Sequence, residues 1–478
     1  MKNIFSFLLI ITGAILMTSC EDFLDQEPSF ALSVEETIKT VDDLQNAVNG
    51  AYARLNEFDY YSGNFFPLGD LRADDMTFNS LLNANQISPV ATYQYDKNSS
   101  FAELFYRAPY ITIGRVNDVL RAVDNITLEP GEEERYSDLI GQLYALRALC
   151  HFDLARLFAQ LPTALHDDVT LDTPDGIPVC DDVFPVDYKP IRNTIREVYD
   201  FILADFDRAI ERLNPSPKRN TSYGYINILA AKALKARVQL YLGNYAESLS
   251  LAEDVINKAG DSDYRLAEQV EYTTMWASVS QPEFLFEVVT TLVYNAQRNS
   301  LGYYSNPEGY GEYAVTEEFA RWLVSFESDF RSLMLKYVSE GNGRGYYCIK
   351  YPGREGSLYV NNPKVIRMAE VYLIAIEAAY HNKNEVKALE YFNKLRKTRI
   401  YNYKDVTTIT LNDILNERRK ELFAEGHRSW DVWRNQLSLI NNNFSSRPIN
   451  YDDYRTLLAI PQRERDISPE LDQNPGWE

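Results

Sequence analysis

Cysteine and histidine are scarce, with four of each among 478 residues. Cys20, Cys150, Cys180 and Cys348 include no CxxC pair, and with Cys20 set aside for the reason given below, at most one disulfide remains. His151, His166, His381 and His427 are scattered without an HExxH motif, so no zinc or iron centre is expected. Asp261-Ser262-Asp263 lacks the ligand spacing and invariant Gly of a calcium loop and reads as a solvated turn. Walker and dinucleotide fingerprints are absent too, and no cofactor is expected. Cys150 follows Leu149 in an apolar helical pattern and reads as a core filler. His151 is its neighbour in sequence, but adjacent helix positions do not face each other, which weakens a Cys/His nucleophile. Basic residues are also in deficit: 48 Lys and Arg against 69 Asp and Glu give a net charge of −21, which repels nucleic acid and anionic lipid and excludes a nucleic-acid partner. Beyond Cys20 no apolar run reaches the roughly 20 residues of a membrane span, and Val371–Ile376 is cut at once by Glu377.

What is present begins at the N-terminus. MKNIFSFLLIITGAILMTSCED has one charge, Lys2, before an apolar stretch from Ile4 to Leu16, and ends at Cys20 followed by two acids. This is the pattern of a secretory signal, too short for a spanning helix. Cys20 at the junction resembles a bacterial lipoprotein acylation site, with residues 1–19 removed and Cys20 carrying the lipid. A simple secreted protein is the alternative, since Met17 replaces the usual small residue.

Further along, SVEETIKTVDDLQNAVNGAYARL (33–55) reads as a helix that Ser33 can cap, with Glu36 three residues on and Leu44, Val48, Ala51 and Leu55 in helical register. Residues 56–98 read as helix-poor. A stripe of Leu139, Leu143, Leu146, Leu149 and Leu154 predicts a helix over about 135–161, stopped by Pro162. Residues 163–190 are a loop dense in Asp and Pro. Helices resume at 194–213 and from Tyr225. Two pairs, AAKALKARVQLYLGNYAESLSLAEDVI and AEVYLIAIEAAYHNKNEVKALEYFNKLR, place small and apolar residues at comparable offsets and resemble tetratricopeptide hairpins, unrelated hairpins being the alternative. EFLFEVVTTLVYN (283–295) and YYCIKY (346–351) are strand candidates.

Several stretches together resemble the SusD/RagB family of outer-membrane nutrient-binding lipoproteins of Bacteroidota. They are Cys20-Glu21-Asp22-Phe23-Leu24-Asp25, Gly50-Ala51-Tyr52, Ala145-Leu146-Arg147-Ala148 through Asp153-Leu154, the two helical pairs, ERRKELFAEGHR (417–428) with Trp430-Asp431, Ile460-Pro461-Gln462-Arg463-Glu464, and Gln473-Asn474-Pro475-Gly476-Trp477. The resemblance implies a mainly α, SusD-like fold: a tetratricopeptide-like scaffold of four units, irregular loops and a few short strands. It implies one large domain over 20–478, with an N-terminal half of about 20–225 and a C-terminal half of about 226–478. It further implies a SusC-like TonB-dependent transporter as partner, glycan or oligosaccharide binding, and an outer-membrane anchor through acylated Cys20 facing outward. Glu21, Asp22 and Asp25 look like a surface-export signal. Peptides or another nutrient are the alternative cargo, because a family scaffold leaves the ligand open.

ERRKELFAEGHRSWDVW gathers Glu417, Glu421, Glu425, His427 and Asp431, which invites a catalytic reading. Glu417, Glu421 and Glu425 lie one helical turn apart with Arg418 and Arg428 as matching cations, so an internal ion-pair network is the expectation and no enzyme is expected. The positive clue is aromatic content: 34 Tyr, 23 Phe and 5 Trp, many in Gly- and Asn-rich stretches that a core does not require. Flat rings stack on the C–H faces of sugars while Asp and Asn bond hydroxyls. Two segments qualify as ligand surfaces: one with Tyr60, Tyr61, Phe65, Phe66, Asp74, Phe78 and Asn79, the other with Tyr303, Tyr304 and Tyr310. Trp276 reads as core or loop support.

Overall fold

The computed structural model describes residues 37–82, 84–166, 168–441, 443 and 448–478. The signal, Cys20, and the Ser33 and Glu36 cap therefore lie outside the described residues. The longer helices are α1 (Val41–Leu55), α2 (Ser100–Ala122), α3 (Glu133–Phe158), α4 (Ile195–Arg212), α5 (Ile228–Tyr241), α6 (Tyr245–Lys258), α7 (Met368–His381), α8 (Glu385–Lys397) and α9 (Leu411–Leu422). Capping chemistry sets several starts. The Thr40 hydroxyl accepts from Asp43 N while the Asp43 carboxylate accepts from Thr40 N, and Thr194 with Glu197 and Thr410 with Asp413 repeat the arrangement for α4 and α9.

Helix α3 is the axis of the N-terminal half: from Leu139 to Phe158 all but one of its residues are buried, against α1, α2 and α4. The stretch read as helix-poor holds two short helices, Phe65–Leu71 and Ser88–Ala91, and α2 follows it with Pro109 inside. The two similar helical pairs do form antiparallel hairpins, α5–α6 and α7–α8, and α6 packs on α7. Tyr245 stacks on His381 with ring centroids 4.2 Å apart, and Glu253 accepts from Lys387 Nζ (2.6 Å) and the Tyr391 hydroxyl (2.8 Å). Both hairpins turn through the left-handed region, by Gly243 in one (φ +75°) and Lys383 in the other (φ +60°).

Among the described residues six short strands accompany the helices: β1 (Met76–Phe78), β2 (Phe284–Glu287), β3 (Tyr313–Val315), β4 (Leu335–Val338), β5 (Gly345–Cys348) and β6 (Lys364–Arg367). One antiparallel sheet runs β1-β3-β5-β4, and β2 pairs with β6. The strand expected over 283–295 is thus only four residues long. Its residues are all buried, which explains the continuous apolar run.

Beneath the sheets lies a closed lattice of charge. Arg367 donates to Glu283, Glu421 and Glu425; Arg399 to Glu283 and Glu421; Arg331 to Asp329, Glu417 and Glu421; Lys350 to Glu425, with distances of 2.7–3.2 Å. Every one of these residues is buried. The expected network therefore exists, with a correction to its cations. Arg418 pairs with Asp431 (2.8 Å) and Arg428 with Asp74 (2.7 Å). Helix α9 ends at Leu422, and the chain turns through Ala424 (φ +62°) and Gly426 (φ +76°), so Glu425 meets Lys350 and Arg367 from a loop. Trp276 is buried beside Lys350.

Candidate ligand-binding surface

The two aromatic segments converge. Met76–Phe78 pairs antiparallel with Tyr313–Val315, Leu301 N donates to Ser62 O (2.9 Å), and Asn56 Nδ2 donates to Tyr294 O (3.1 Å). Their roles differ, however. Tyr60, Tyr61, Phe65 and Phe66 are enclosed in the core: both Tyr hydroxyls donate to the buried Asp153 carboxylate (2.7 and 2.6 Å), and Phe65 packs on Trp430. The expectation that these four rings meet a ligand is corrected: they are the foundation under the loop. Asp74 is taken up by ion pairs with Arg428 (2.7 and 2.9 Å) and Arg419 (3.5 Å). Burial raises its pKa, and the Arg428 hydrogen bond and charge outweigh that and lower it overall. Phe78 packs against the core, and Asn79 spends its amide on Tyr347 Oη (2.9 Å), Asn342 O (3.2 Å) and Leu81 N (3.1 Å).

The second segment keeps a solvent face. Tyr304 turns inward and is buried, whereas Tyr303 and Tyr310 stay partly exposed, edge to face with ring centroids 4.8 Å apart. Tyr359 joins them 5.4 Å from Tyr303, and the exposed Arg298 lies beside these rings, whose hydroxyls raise the guanidinium pKa further. Glycine makes this packing possible: a Cβ on Gly309 would lie 2.9 Å from Cγ of Tyr303, and one on Gly302 would collide with Asn361. Upstream on the same segment, Tyr294 borders a hollow of about 430 Å³ with Tyr52, Tyr223, Tyr225, Val288 and Val289. Tyr52 and Tyr225 meet edge to face at 5.1 Å, Tyr294 Oη donates to Ala53 O (2.8 Å), and Gly224 (φ +80°) brings the backbone against Val289. Tyr223, Tyr225, Tyr294, Arg298 and Tyr359 are not singled out by the sequence reading. The Ser-Tyr-Gly-Tyr run at 222–225 and Gly356-Ser357-Leu358-Tyr359 carry the same Gly/Tyr signature as 302–310 and could have pointed to them.

No reactive pair is assembled at Cys150. Its thiol is buried, 3.6 Å from the Tyr60 hydroxyl oxygen, and is pushed up by burial, beyond the range in which it would ionise. His151 donates from Nδ1 to Arg147 O (2.9 Å) and accepts from Cys180 N at Nε2 (3.1 Å), so its ring is neutral, with a pKa lowered by burial to about 4. Cys150, Cys180 and Cys348 are all free thiols. Among the described residues no group of three or more His, Cys, Asp and Glu could hold a metal ion, and no helix is long and apolar enough to cross a membrane.

A helical scaffold of stacked hairpins, with short antiparallel strands and an aromatic loop surface, defines a SusD-like protein. Comparison with known proteins gives the family. A model described as the SusD family matches residues 252–477, and one described as starch-binding, associating with the outer membrane, matches residues 22–240. A SusD superfamily protein from Bacteroides vulgatus superposes with a TM-score of 0.84 at 28% identity, covering 92% of this chain and all of that one. A second B. vulgatus protein gives 0.83 at 31% identity with the same coverage. A SusD-like protein from Formosa agariphila is 25% identical over 98% of this chain and 99% of its own. The chain belongs to the SusD/RagB family.

Proposed function

We propose that this chain is a surface-exposed lipoprotein, anchored in the outer membrane through acylated Cys20, that captures glycans or oligosaccharides and passes them to a SusC-like TonB-dependent transporter without converting them. The carrying observation is the solvent-facing cluster of Tyr303, Tyr310 and Tyr359 with Arg298, on the segment that also supplies Tyr294 to the aromatic hollow. Rings offered to solvent in a fixed geometry, beside polar groups, suit the alternating apolar and hydroxyl faces of a sugar chain. In this reading the α5–α6 and α7–α8 hairpins are tetratricopeptide-like units, which hold the binding loops on rigid elements. Proteins that share the fold include a laminarin-binding SusD-like protein and surface glycan-binding protein A from Bacteroides fluxus, at 20% and 23% identity.

The test is a binding screen of the purified chain against polysaccharides, short oligosaccharides and peptide pools. Saturable binding of a saccharide, without release of reducing ends, is the expected result. Saturable binding of peptides alone would overturn the glycan assignment, and hydrolysis would overturn the non-enzymatic part. Membrane partitioning lost in Cys20→Ala is the expected outcome for the anchor, and palmitate incorporation equal to wild type would refute it.

A further inference from the structure

The aromatic hollow beside α1 differs in chemistry from the Tyr303 platform. Among the described residues no charged side chain lines its volume of about 430 Å³, and its walls are mostly Tyr rings with Leu55, Val288 and Val289. All four tyrosine hydroxyls are already hydrogen-bonded to the protein. Tyr52 accepts from Ile226 N (2.9 Å), Tyr223 accepts from Asn362 Nδ2 (2.9 Å), Tyr225 donates to Asn49 Oδ1 (2.8 Å) and Tyr294 donates to Ala53 O (2.8 Å). These bonds fix the rings and leave chiefly their faces and edges, with the two valines, for an occupant.

A sugar ring enclosed there would lose water from its hydroxyls and find few partners, at a cost for each group left unpaired. An aromatic ring suffers no such penalty and meets other rings edge to face. The volume falls in the range of about 300–1,000 Å³ usual for small-molecule pockets, and an apolar cavity of about 150 Å³ already holds benzene. The border is apolar as well: between the lining residues Thr291 and Tyr294, Leu292 is 55% and Val293 97% exposed. The hollow is also close to the platform. Asn362, which holds Tyr223, accepts from Thr290 N (3.0 Å) and Arg354 Nη2 (2.9 Å), and stands three residues after Tyr359 of the platform. Three residues of extended chain reach at most about 11 Å.

We infer that the hollow binds an aromatic group carried by the saccharide, as an aryl ester or aryl glycoside, while the sugar itself lies towards the platform. The inference rests on the glycan reading above and adds an apolar substituent to its ligand.

Calorimetric titration of the full chain in lipid nanodiscs tests it, with phenyl and methyl β-glycosides of glucose, galactose, xylose and mannose. In at least one pair the phenyl member binds wild type about tenfold more tightly than its methyl partner. Ala53→Trp, which fills the hollow from α1, brings the two to about equal affinity, whereas Tyr303→Ala weakens both members alike. Should Ala53→Trp not fold, as judged by melting, Tyr294→Ala at the exposed border lowers the phenyl preference at least about threefold instead. Equal affinity for both members of every pair in wild type overturns the aryl site, as does failure of every phenyl glycoside to bind, and so does a preference that survives both hollow variants or is lost in Tyr303→Ala. The glycan reading is decided separately, by the unsubstituted oligosaccharides of the screen: a phenyl preference in wild type with no saccharide bound there overturns that reading alone.

Discussion

DYYSGNFFPLG at 59–69 and LGYYSNPEGYGEY at 301–313 read alike in sequence, yet the fold buries every ring of the first and only half of those of the second. In the first, both hydroxyls of the Tyr pair point at one carboxylate, Asp153, on the far side of α3 in sequence. Arg156 caps the same carboxylate and lies over Phe65 and Trp430, so the entire segment is drawn inward. In the second, Tyr304 and Tyr313 go in, the Tyr313 hydroxyl donating to the buried Asp70 carboxylate (2.6 Å), while Tyr303 and Tyr310 stay out. Gly309 lies against the ring of Tyr303 and Tyr359 packs 5.4 Å from it, leaving the Tyr303 and Tyr310 rings partly exposed. The difference teaches that Gly- and Tyr-rich composition marks a segment free of regular structure, while a polar partner elsewhere decides whether its rings face in or out.

The strongest way to break that contrast is truncation in the inner segment. Tyr61→Ala removes a fully buried ring and leaves Asp153 short of a donor, and a stability loss of about 3–5 kcal/mol is expected in denaturant titration. A midpoint unchanged from wild type would mean that Tyr61 is not core. In the outer segment, Tyr303→Ala should weaken binding of the saccharide found in the screen by about tenfold to a thousandfold, with melting little changed. Loss of stability without loss of affinity would reverse the two roles. The milder Tyr61→Phe keeps the ring and removes only its hydrogen bond to Asp153, so a loss of about 1.5–3 kcal/mol is expected, because the acceptor is charged.

Acid tests the interior against the surface, since buried carboxylates such as Asp153 and Glu370 hold their partners inside. Burial raises the Glu370 pKa, but the bidentate Arg237 contact (2.6 and 2.7 Å) more than offsets this and lowers it from the usual 4.5 to about 2. A depressed folded-state pKa contributes stability that is complete above about 4.5 and is lost as pH falls towards 2. His427, 3.8 Å from Glu370 and held neutral with a pKa lowered by burial to about 4, acts in the same direction below its ordinary 6.5, because the unfolded chain takes up the proton first. Melting temperature should therefore fall between pH 6.5 and 3, and Glu370→Gln should flatten the lower part of that slope. A wild-type profile that stays flat would show that the pair carries no pH-linked stability.

These roles were unequally legible in the sequence. Helix α3 announced itself because its Leu stripe is long and regular, and the carboxylates of ERRKELFAEG read as structural because like charges one turn apart require cations. Their identity was hidden, since Arg331, Arg367 and Arg399 come from three separate elements. Helix α2 escaped notice because Pro109 interrupts an otherwise helical pattern. The candidate surface was half legible. Tyr303 and Tyr310 stood out by composition, while Tyr359 and Arg298 join them only through tertiary packing. The burial of Tyr60 and Tyr61 hangs on a single carboxylate that no local pattern marks.

The smallest expected effect separates the rings from the cation beside them. Arg298 is exposed beside the rings of Tyr303, Tyr310 and Tyr359, so it can meet a ligand oxygen, but it supplies no enclosed surface. Arg298→Ala should therefore lower saccharide affinity only about two- to fivefold, with unchanged melting, and Arg298→Lys should recover part of it by restoring the charge without the planar fork. Raising the salt concentration should leave wild-type affinity nearly constant, because an uncharged ligand gains nothing from a guanidinium at long range. A drop as large as that of Tyr303→Ala, or a steep salt dependence, would mean that charge dominates recognition and that the ligand is anionic, in which case the clustered rings are support for Arg298 and the contrast between the two segments has a different cause.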